Sequence, residues 1–187
     1  KMKQNKIIKN YLLNSMYQML SVIFPFFLTP YLTRTLGSGG IGQYSYYSSC
    51  ASYFVLFSVL GIPNYGNRMI ARIGEDRERR TQVFWEIYKI QAIMSVLVLW
   101  VYLCCVHVLF QDNGVGWMFG IYVAASAFDI TWLFFGMEQF MVTVARNLLI
   151  KAGTLILVLV FVKNESDTAL YALIFSSGTF LANLLLL

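Results

Sequence analysis

Three charged side chains lie inside long apolar stretches, and they are the first candidates for chemistry. Asp129 is the one charge between residues 113 and 137, and Arg146 and Lys151 belong to the next apolar stretch. A buried carboxylate can hold a cation, whereas a guanidinium or an ammonium group can bind phosphate. Because an isolated charge in an apolar medium is costly, we expect Asp129 and Lys151 to pair or to line one cavity. Arg146 lies nearer the end of its stretch and could instead extend to the membrane interface.

A row of polar residues runs along the first apolar stretch. Asn14 and Gln18 belong to a series that repeats every three or four residues, which places its members on one helical face. Such a face avoids lipid and looks into a helix bundle or an aqueous cavity. Two interpretations stay open, hydrogen bonding between helices and binding of sugar hydroxyls. Pro25 and Pro30 should bend this helix.

Two further cations, Arg68 and Arg72, are one helical turn apart. They could meet a phosphate at the mouth of a cavity, or they could be attracted to anionic lipid headgroups. Together with Asn14, Gln18, Asp129, Arg146 and Lys151, they form the set of candidate substrate-binding residues.

Patterns typical of enzymes and cofactor sites are missing from the sequence. Gly37, Gly39 and Gly42 satisfy G-x-G-x-x-G, but they follow an apolar helix rather than a strand, so a turn is the better interpretation. The sequence has no P-loop, no H-E-x-x-H and no cysteine–histidine cluster. His107 is the only histidine, and the three cysteines have no framework spacing. We therefore expect no enzyme activity, no cofactor and no metal.

The composition shows which elements must position these residues. Of the 187 residues, 58% are apolar and 12% are charged, and the mean hydropathy is +0.64. These values exclude a soluble globule and a disordered chain. Charge-free stretches long enough to cross a bilayer predict an all-α, polytopic membrane protein with about six transmembrane helices. The predicted spans are residues 12–33, 42–62, 84–108, 115–137, 141–162 and 168–187.

The distribution of cations predicts the orientation of the chain. Four lysines precede the first predicted span, five arginines and Lys89 follow the second, and Arg146 and Lys151 lie at the fourth connection. The opposite side has only Arg34 and Lys163. This asymmetry favours a cytoplasmic N-terminus. Nucleic-acid binding is the weaker interpretation, since the basic residues lie at the edges of the predicted spans. Because the last span has no polar tail, we expect the chain to be a fragment of a longer protein.

Several motifs resemble those of bacterial polysaccharide repeat-unit flippases. They are TPYLTRTLG at 29–37 with GIGQY at 40–44, GIPNYGNRMIAR at 61–72, and FDITWLFFGME at 128–138 with Arg146-Asn147 on the next helix. The resemblance covers nearly the whole chain. The motifs are specific as a set, although each is weak alone. The family implied is the polysaccharide biosynthesis proteins of the multidrug/oligosaccharidyl-lipid/polysaccharide exporter superfamily.

This resemblance implies a two-lobed transporter of the bacterial plasma membrane with alternating access. The chain, residues 1–187, would be its N-terminal six-helix lobe, and the C-terminal lobe would be absent. Its substrate would be an undecaprenyl-pyrophosphate-linked oligosaccharide for O-antigen, capsule or exopolysaccharide. It implies membrane lipids as partners and allows polymerase and chain-length proteins of the same pathway. Related lipid II flippases carry arginines in the first helix, whereas residues 10–33 have none. The pyrophosphate would then be bound by Arg68, Arg72, Arg146 or Lys151, or by residues of the second lobe.

Three alternatives to this function differ in the residues they would need. A drug/cation antiporter of the same superfamily would use Asp129 for its coupling ion and would have a smaller, acidic cavity. A membrane-embedded glycosyltransferase would need a large soluble loop or clustered carboxylates, and the sequence has neither. A truncated, non-functional product is the third alternative.

Overall fold

The protein is all-α. The computed structural model describes residues 2–74, 76–109 and 114–187, without the side chains of residues 2–25, 27 and 109. This part of the chain contains helices and turns and no strand, which confirms the predicted fold class. The helices are α1 (Met2–Ser58), α2 (Ile62–Ile73), α3 (Arg77–Leu109), α4 (Gly114–Ala125), α5 (Thr131–Gly136), α6 (Phe140–Phe161) and α7 (Thr168–Leu184). Single 3₁₀ turns cover Ser126–Phe128 and Glu165–Asp167.

Helix length and exposed surface are those of a membrane protein. Within the described residues, three segments are long and apolar enough to cross a bilayer: Arg77–Val108, Gly114–Gly136 and Phe140–Phe161. A fourth is possible if Leu28–Ser58 and Ile62–Ile73, which are bent by 42°, form one span. Helix α7 has 17 residues and is about 26 Å long at ~1.5 Å per residue. Large apolar side chains cover much of the outer surface, as expected for a protein that is surrounded by lipid. The count of six spans stays a prediction.

The glycine-rich segment contains one backbone break rather than a broad turn. Gly37 has φ 65° and ψ 179°, whereas the helix resumes after it and includes the other glycines. A side chain at Gly37 would be strained by the positive φ and would approach Glu165. Gly40 lies so close to α7 that a Cβ would be 2.6 Å from Thr168 Oγ1. The glycines therefore bring the start of the second helical segment against the α6–α7 connection.

The connection that follows the second predicted span is largely helical. Gly61, with φ 76°, breaks the backbone after α1, and α2 starts at the next residue with Pro63 in its first turn. The inner face of α2 is built for close contact, since a Cβ on Gly66 would lie 2.5 Å from the Trp132 ring. The backbone of α2 at Gly66 therefore packs directly against the Trp132 ring of α5.

The fourth predicted span is interrupted in its middle. Helix α4 ends at Ala125, a 3₁₀ turn follows, Asp129 is extended with ψ 92°, and α5 begins at Thr131. The interruption corrects the expectation of a continuous helix over 115–137. On one side of it, α4 packs on α3 and α7 around Tyr102, Phe119 and Ala172. On the other side, Trp132 packs with Ile70 and Ile87.

Candidate binding cavity

A cavity of about 520 Å³ lies between α1, α4, α6 and α7. Helix α1 contributes Leu28, Thr29 and Leu32 to its wall. Leu32 is buried against Val158 of α6, and this cluster holds the α1 wall in place. The Tyr31 hydroxyl also donates a 2.7 Å hydrogen bond to the carbonyl of Val162 at the end of α6. The first helix is thus fixed to α6 at one end of the cavity.

Both formal charges of the described lining are positive and come from α6. Arg146 and Lys151 are five residues apart, with Asn147 and Thr154 on the same wall. No carboxylate belongs to the lining as the structure describes it. Lys151 therefore lines a cavity between the helices, and Arg146, whose position the sequence left open, lines the same cavity.

The Arg146 guanidinium is held in a fixed orientation. Its Nη1 donates a 2.7 Å hydrogen bond to the carbonyl of Ala182 on α7, and its Nε and Nη2 donate to Oδ1 of Asn147 at 3.1 and 2.6 Å. These bonds fix the planar group between α6 and α7 and point its charge along the cavity wall. A preorganised guanidinium loses less entropy when it binds an anion such as phosphate.

Aromatic side chains form another part of the cavity lining, which we call the aromatic wall. Tyr122 of α4 and Tyr171 and Phe175 of α7 line it. Tyr44 packs behind them, with its ring centroid 4.4 Å from that of Tyr171, and Phe175 is 5.8 Å from Tyr122. Packed rings of this kind offer apolar faces and hydroxyl groups to a ligand. The cavity therefore combines cations, amides and aromatic rings.

Asp129 does not belong to this cavity, and its expected pairing with Lys151 is wrong. Its carboxylate accepts hydrogen bonds from the Thr131 amide at 3.1 Å and from the Thr131 hydroxyl at 2.6 Å. Lys151 lines the cavity, whereas Asp129 is absent from the described lining, and the side-chain contacts described for Asp129 are those to Thr131. The physical reason is the interruption of the fourth span, which places the Asp129 carboxylate in a local Asx turn with Thr131, the first residue of α5.

The interruption is held by residues that the sequence analysis did not single out. Gln91 of α3 is fully buried, and its Nε2 donates to the carbonyls of Ser126 and Asp129, both at 2.9 Å. Its Oε1 accepts a 3.1 Å hydrogen bond from the Trp132 indole. One amide thus satisfies two carbonyls at the break and the indole N–H of Trp132. An amide within an apolar stretch is the signal that could have found it.

Three buried serines complete this network. The Ser126 hydroxyl donates to the carbonyl of Val123 at 2.7 Å, and it lies 2.7 Å from the Ser58 hydroxyl. Ser58 is also 2.6 Å from the hydroxyl of Ser95. Since each hydroxyl has one proton, the chain runs from Ser95 through Ser58 and Ser126 to Val123. It joins the end of α1, the middle of α3 and the break after α4.

The remaining candidates lie elsewhere. Arg68 and Arg72 are exposed on the outer face of α2, and neither belongs to the described lining. The side chains of Asn14 and Gln18 fall outside the described residues. The structure thus brings together two of the seven candidates, Arg146 and Lys151, and adds the aromatic wall and Asn147.

The fold and the cavity define a class, a polytopic all-α membrane protein with an internal cationic cavity. The chain belongs to the family of polysaccharide biosynthesis proteins, whose family model matches residues 7–187. The resemblance carried by the motifs is therefore confirmed.

Two curated relatives are described as "Putative O-antigen transporter". The protein from Escherichia coli (strain K12) is 23% identical over 192 residues, which cover 100% of this chain and 46% of the relative. The protein from Shigella dysenteriae is 28% identical over 186 residues, which cover 95% of this chain and 45% of the relative. The chain thus spans about half the length of these relatives. No solved structure matches it.

Proposed function

We propose that the protein flips undecaprenyl-pyrophosphate-linked oligosaccharide repeat units from the inner to the outer leaflet of the bacterial plasma membrane by alternating access. The chain would form the N-terminal six-helix lobe of the transporter, with its N-terminus in the cytoplasm. The product would serve O-antigen, capsule or exopolysaccharide synthesis. The relatives are named as O-antigen transporters, which supports the substrate class.

One observation carries this proposal: the charge of the cavity. Arg146 and Lys151 provide two cations in its described lining, without a carboxylate. A low-dielectric wall strengthens the attraction between such cations and an anionic pyrophosphate. The aromatic wall and Asn147 offer stacking faces and hydrogen bonds for sugar rings. In this mechanism no covalent bond changes, and the cations release the pyrophosphate when the cavity changes access.

The antiporter alternative lacks comparable support. It would need an acidic cavity with Asp129 as the site of a coupling ion. Instead, the Asp129 carboxylate accepts two hydrogen bonds from Thr131 and lies apart from the cavity. Arg68 and Arg72, exposed on α2, fit a role in attracting anionic headgroups at the cytoplasmic surface.

Complementation of a flippase-null strain with the full-length gene tests the proposal. Arg146→Ala and Lys151→Ala should lower surface polysaccharide by at least about tenfold if each removes a charge-assisted contact of ~1.5–3 kcal/mol. Lys163→Ala, which removes an exposed cation between α6 and α7, is the matched control and should restore the wild-type level. Equal polysaccharide levels in all three strains would overturn the proposal.

A further inference from the structure

A second, smaller opening lies beside the cavity. It has a volume of about 260 Å³ and is lined by Val142, Arg146, Leu149, Ile150, Leu185 and Leu186. We call it the α6–α7 groove. Apart from Arg146, the lining that the structure describes is aliphatic. Such a lining suits an apolar chain better than a sugar or an ion.

The groove opens onto an exposed apolar surface of α6 and the end of α7. Leu149 is 74% exposed, Leu185 is 70% exposed and Val142 is 46% exposed. Aliphatic side chains with this exposure fit a bilayer and not water. An acyl or prenyl chain in the membrane can thus reach the groove without passing through a polar region.

Arg146 and Ile150 line both the groove and the cavity. The guanidinium of Arg146 bonds to Asn147 and to the carbonyl of Ala182, and both of these residues line the cavity and not the groove. Its charged end therefore belongs to the cavity, which leaves the aliphatic stem for the groove. An anionic site and an apolar site meet at this one side chain.

We infer that the α6–α7 groove holds the first part of the prenyl chain of the lipid-linked substrate while its pyrophosphate lies at Arg146. This inference rests on the proposed function, since it assigns the lipid part of the same substrate. A molecule with an anionic linker between a sugar and an apolar chain needs adjacent polar and aliphatic sites. The groove and the cavity supply them on either side of Arg146. The lipid chain then leaves the protein between α6 and α7.

Photo-crosslinking in the full-length protein tests the inference. A benzophenone amino acid is placed at Leu149 or, as a control, at Ile156, which is 61% exposed on α6 but lines neither opening. The protein is held in phosphatidylcholine nanodiscs, and the probe is radiolabelled geranylgeranyl pyrophosphate. We expect severalfold more label at position 149 than at position 156. Excess inorganic pyrophosphate should lower the label at position 149.

The outcomes separate this inference from the proposed function. Equal label at the two positions would show that the prenyl chain does not occupy the groove. A crosslink from position 149 to another part of the same protein would overturn the inference as well. If Arg146→Ala still lowers the amount of bound probe, that result leaves the proposed function supported. If probe binding is insensitive to Arg146→Ala and to Lys151→Ala, the proposed function fails as well.

A second pair of variants gives a readout in cells. Leu149→Trp fills the groove, and Ile156→Trp adds the same bulk on the lipid-facing side of α6. Surface polysaccharide should fall severalfold with Leu149→Trp and stay at the wild-type level with Ile156→Trp. Equal levels of surface polysaccharide with Leu149→Trp and Ile156→Trp would overturn the inference.

Discussion

Two polar regions lie inside this apolar bundle, and they differ in what their polar groups contact. Around the break after α4, Gln91 and the three serines bond to one another, to Trp132 or to backbone carbonyls. In the cavity, Arg146, Lys151 and the aromatic wall border a volume of about 520 Å³. Asn183 connects the two, since it lines the cavity and donates a 2.8 Å hydrogen bond to the carbonyl of Ala125.

The comparison shows that polarity inside a membrane protein has two uses. A closed network compensates the backbone groups that a broken helix exposes, so its loss should lower stability. A polar wall on a cavity can contact a ligand, so its loss should lower transport. The variants below separate these effects, from the largest change in stability to the smallest.

Gln91→Leu should produce the largest effect, because it removes the hydrogen bonds to the Asp129 carbonyl and to the Trp132 indole. The Ser126 carbonyl keeps the Asp129 N–H as a donor at 3.4 Å. At ~1–3 kcal/mol for each unsatisfied group, the expected loss of stability is at least about 2 kcal/mol. The measurement is the Tm of the purified full-length protein in detergent. Gln82→Leu on the exposed face of α3 is the control and should leave the Tm nearly unchanged. An unchanged Tm with Gln91→Leu would show that the network does not hold the break.

Gly66→Ala tests the packing of α2 next to this network. The new Cβ would lie 2.5 Å from the Trp132 ring, and overpacking of this kind costs about 1–3 kcal/mol. Gly42→Ala is matched to it, since its Cβ would have no neighbour within 4 Å. Thermal unfolding should show a lower Tm for the first variant and an equal or higher Tm for the second. The reverse order would contradict the close approach of α2 and α5.

Asp167→Asn should have the smallest effect. The backbone N–H groups of Lys163 and Asn164 donate to its carboxylate at 2.9 Å and hold the pKa of Asp167 below its ordinary value. The carboxylate therefore stabilises the α6–α7 connection at neutral pH, and this contribution is lost as the pH falls through the lowered pKa. The Tm of the wild type should fall slightly more on acidification than that of Asp167→Asn. Parallel pH profiles would refute this contribution, and Glu78→Gln serves as the control.

The sequence predicts some of these features well for local reasons. Composition and charge-free length give the all-α membrane fold, and the depth of Lys151 within its predicted span gives its interior position. The same depth argument does not decide whether Arg146 lies inside the bundle or extends to the interface. It does not predict the break at 126–130, because Ser-Ala-Phe-Asp-Ile contains neither proline nor glycine. That break depends on Gln91, which is 35 and 38 residues away from the carbonyls it contacts. The aromatic wall likewise joins α1, α4 and α7 and has no local signature.

The central claim is that the cavity cations, and not Asp129, handle the substrate. The most direct test is flipping of a fluorescent undecaprenyl-pyrophosphate-linked oligosaccharide in vesicles that contain the full-length protein. Our account predicts that Lys151→Ala loses most of the flipping rate at an unchanged Tm. It also predicts that Asp129→Asn keeps the rate, with at most a modest fall in Tm. A normal rate with Lys151→Ala, together with loss of flipping in stably folded Asp129→Asn, would contradict the account.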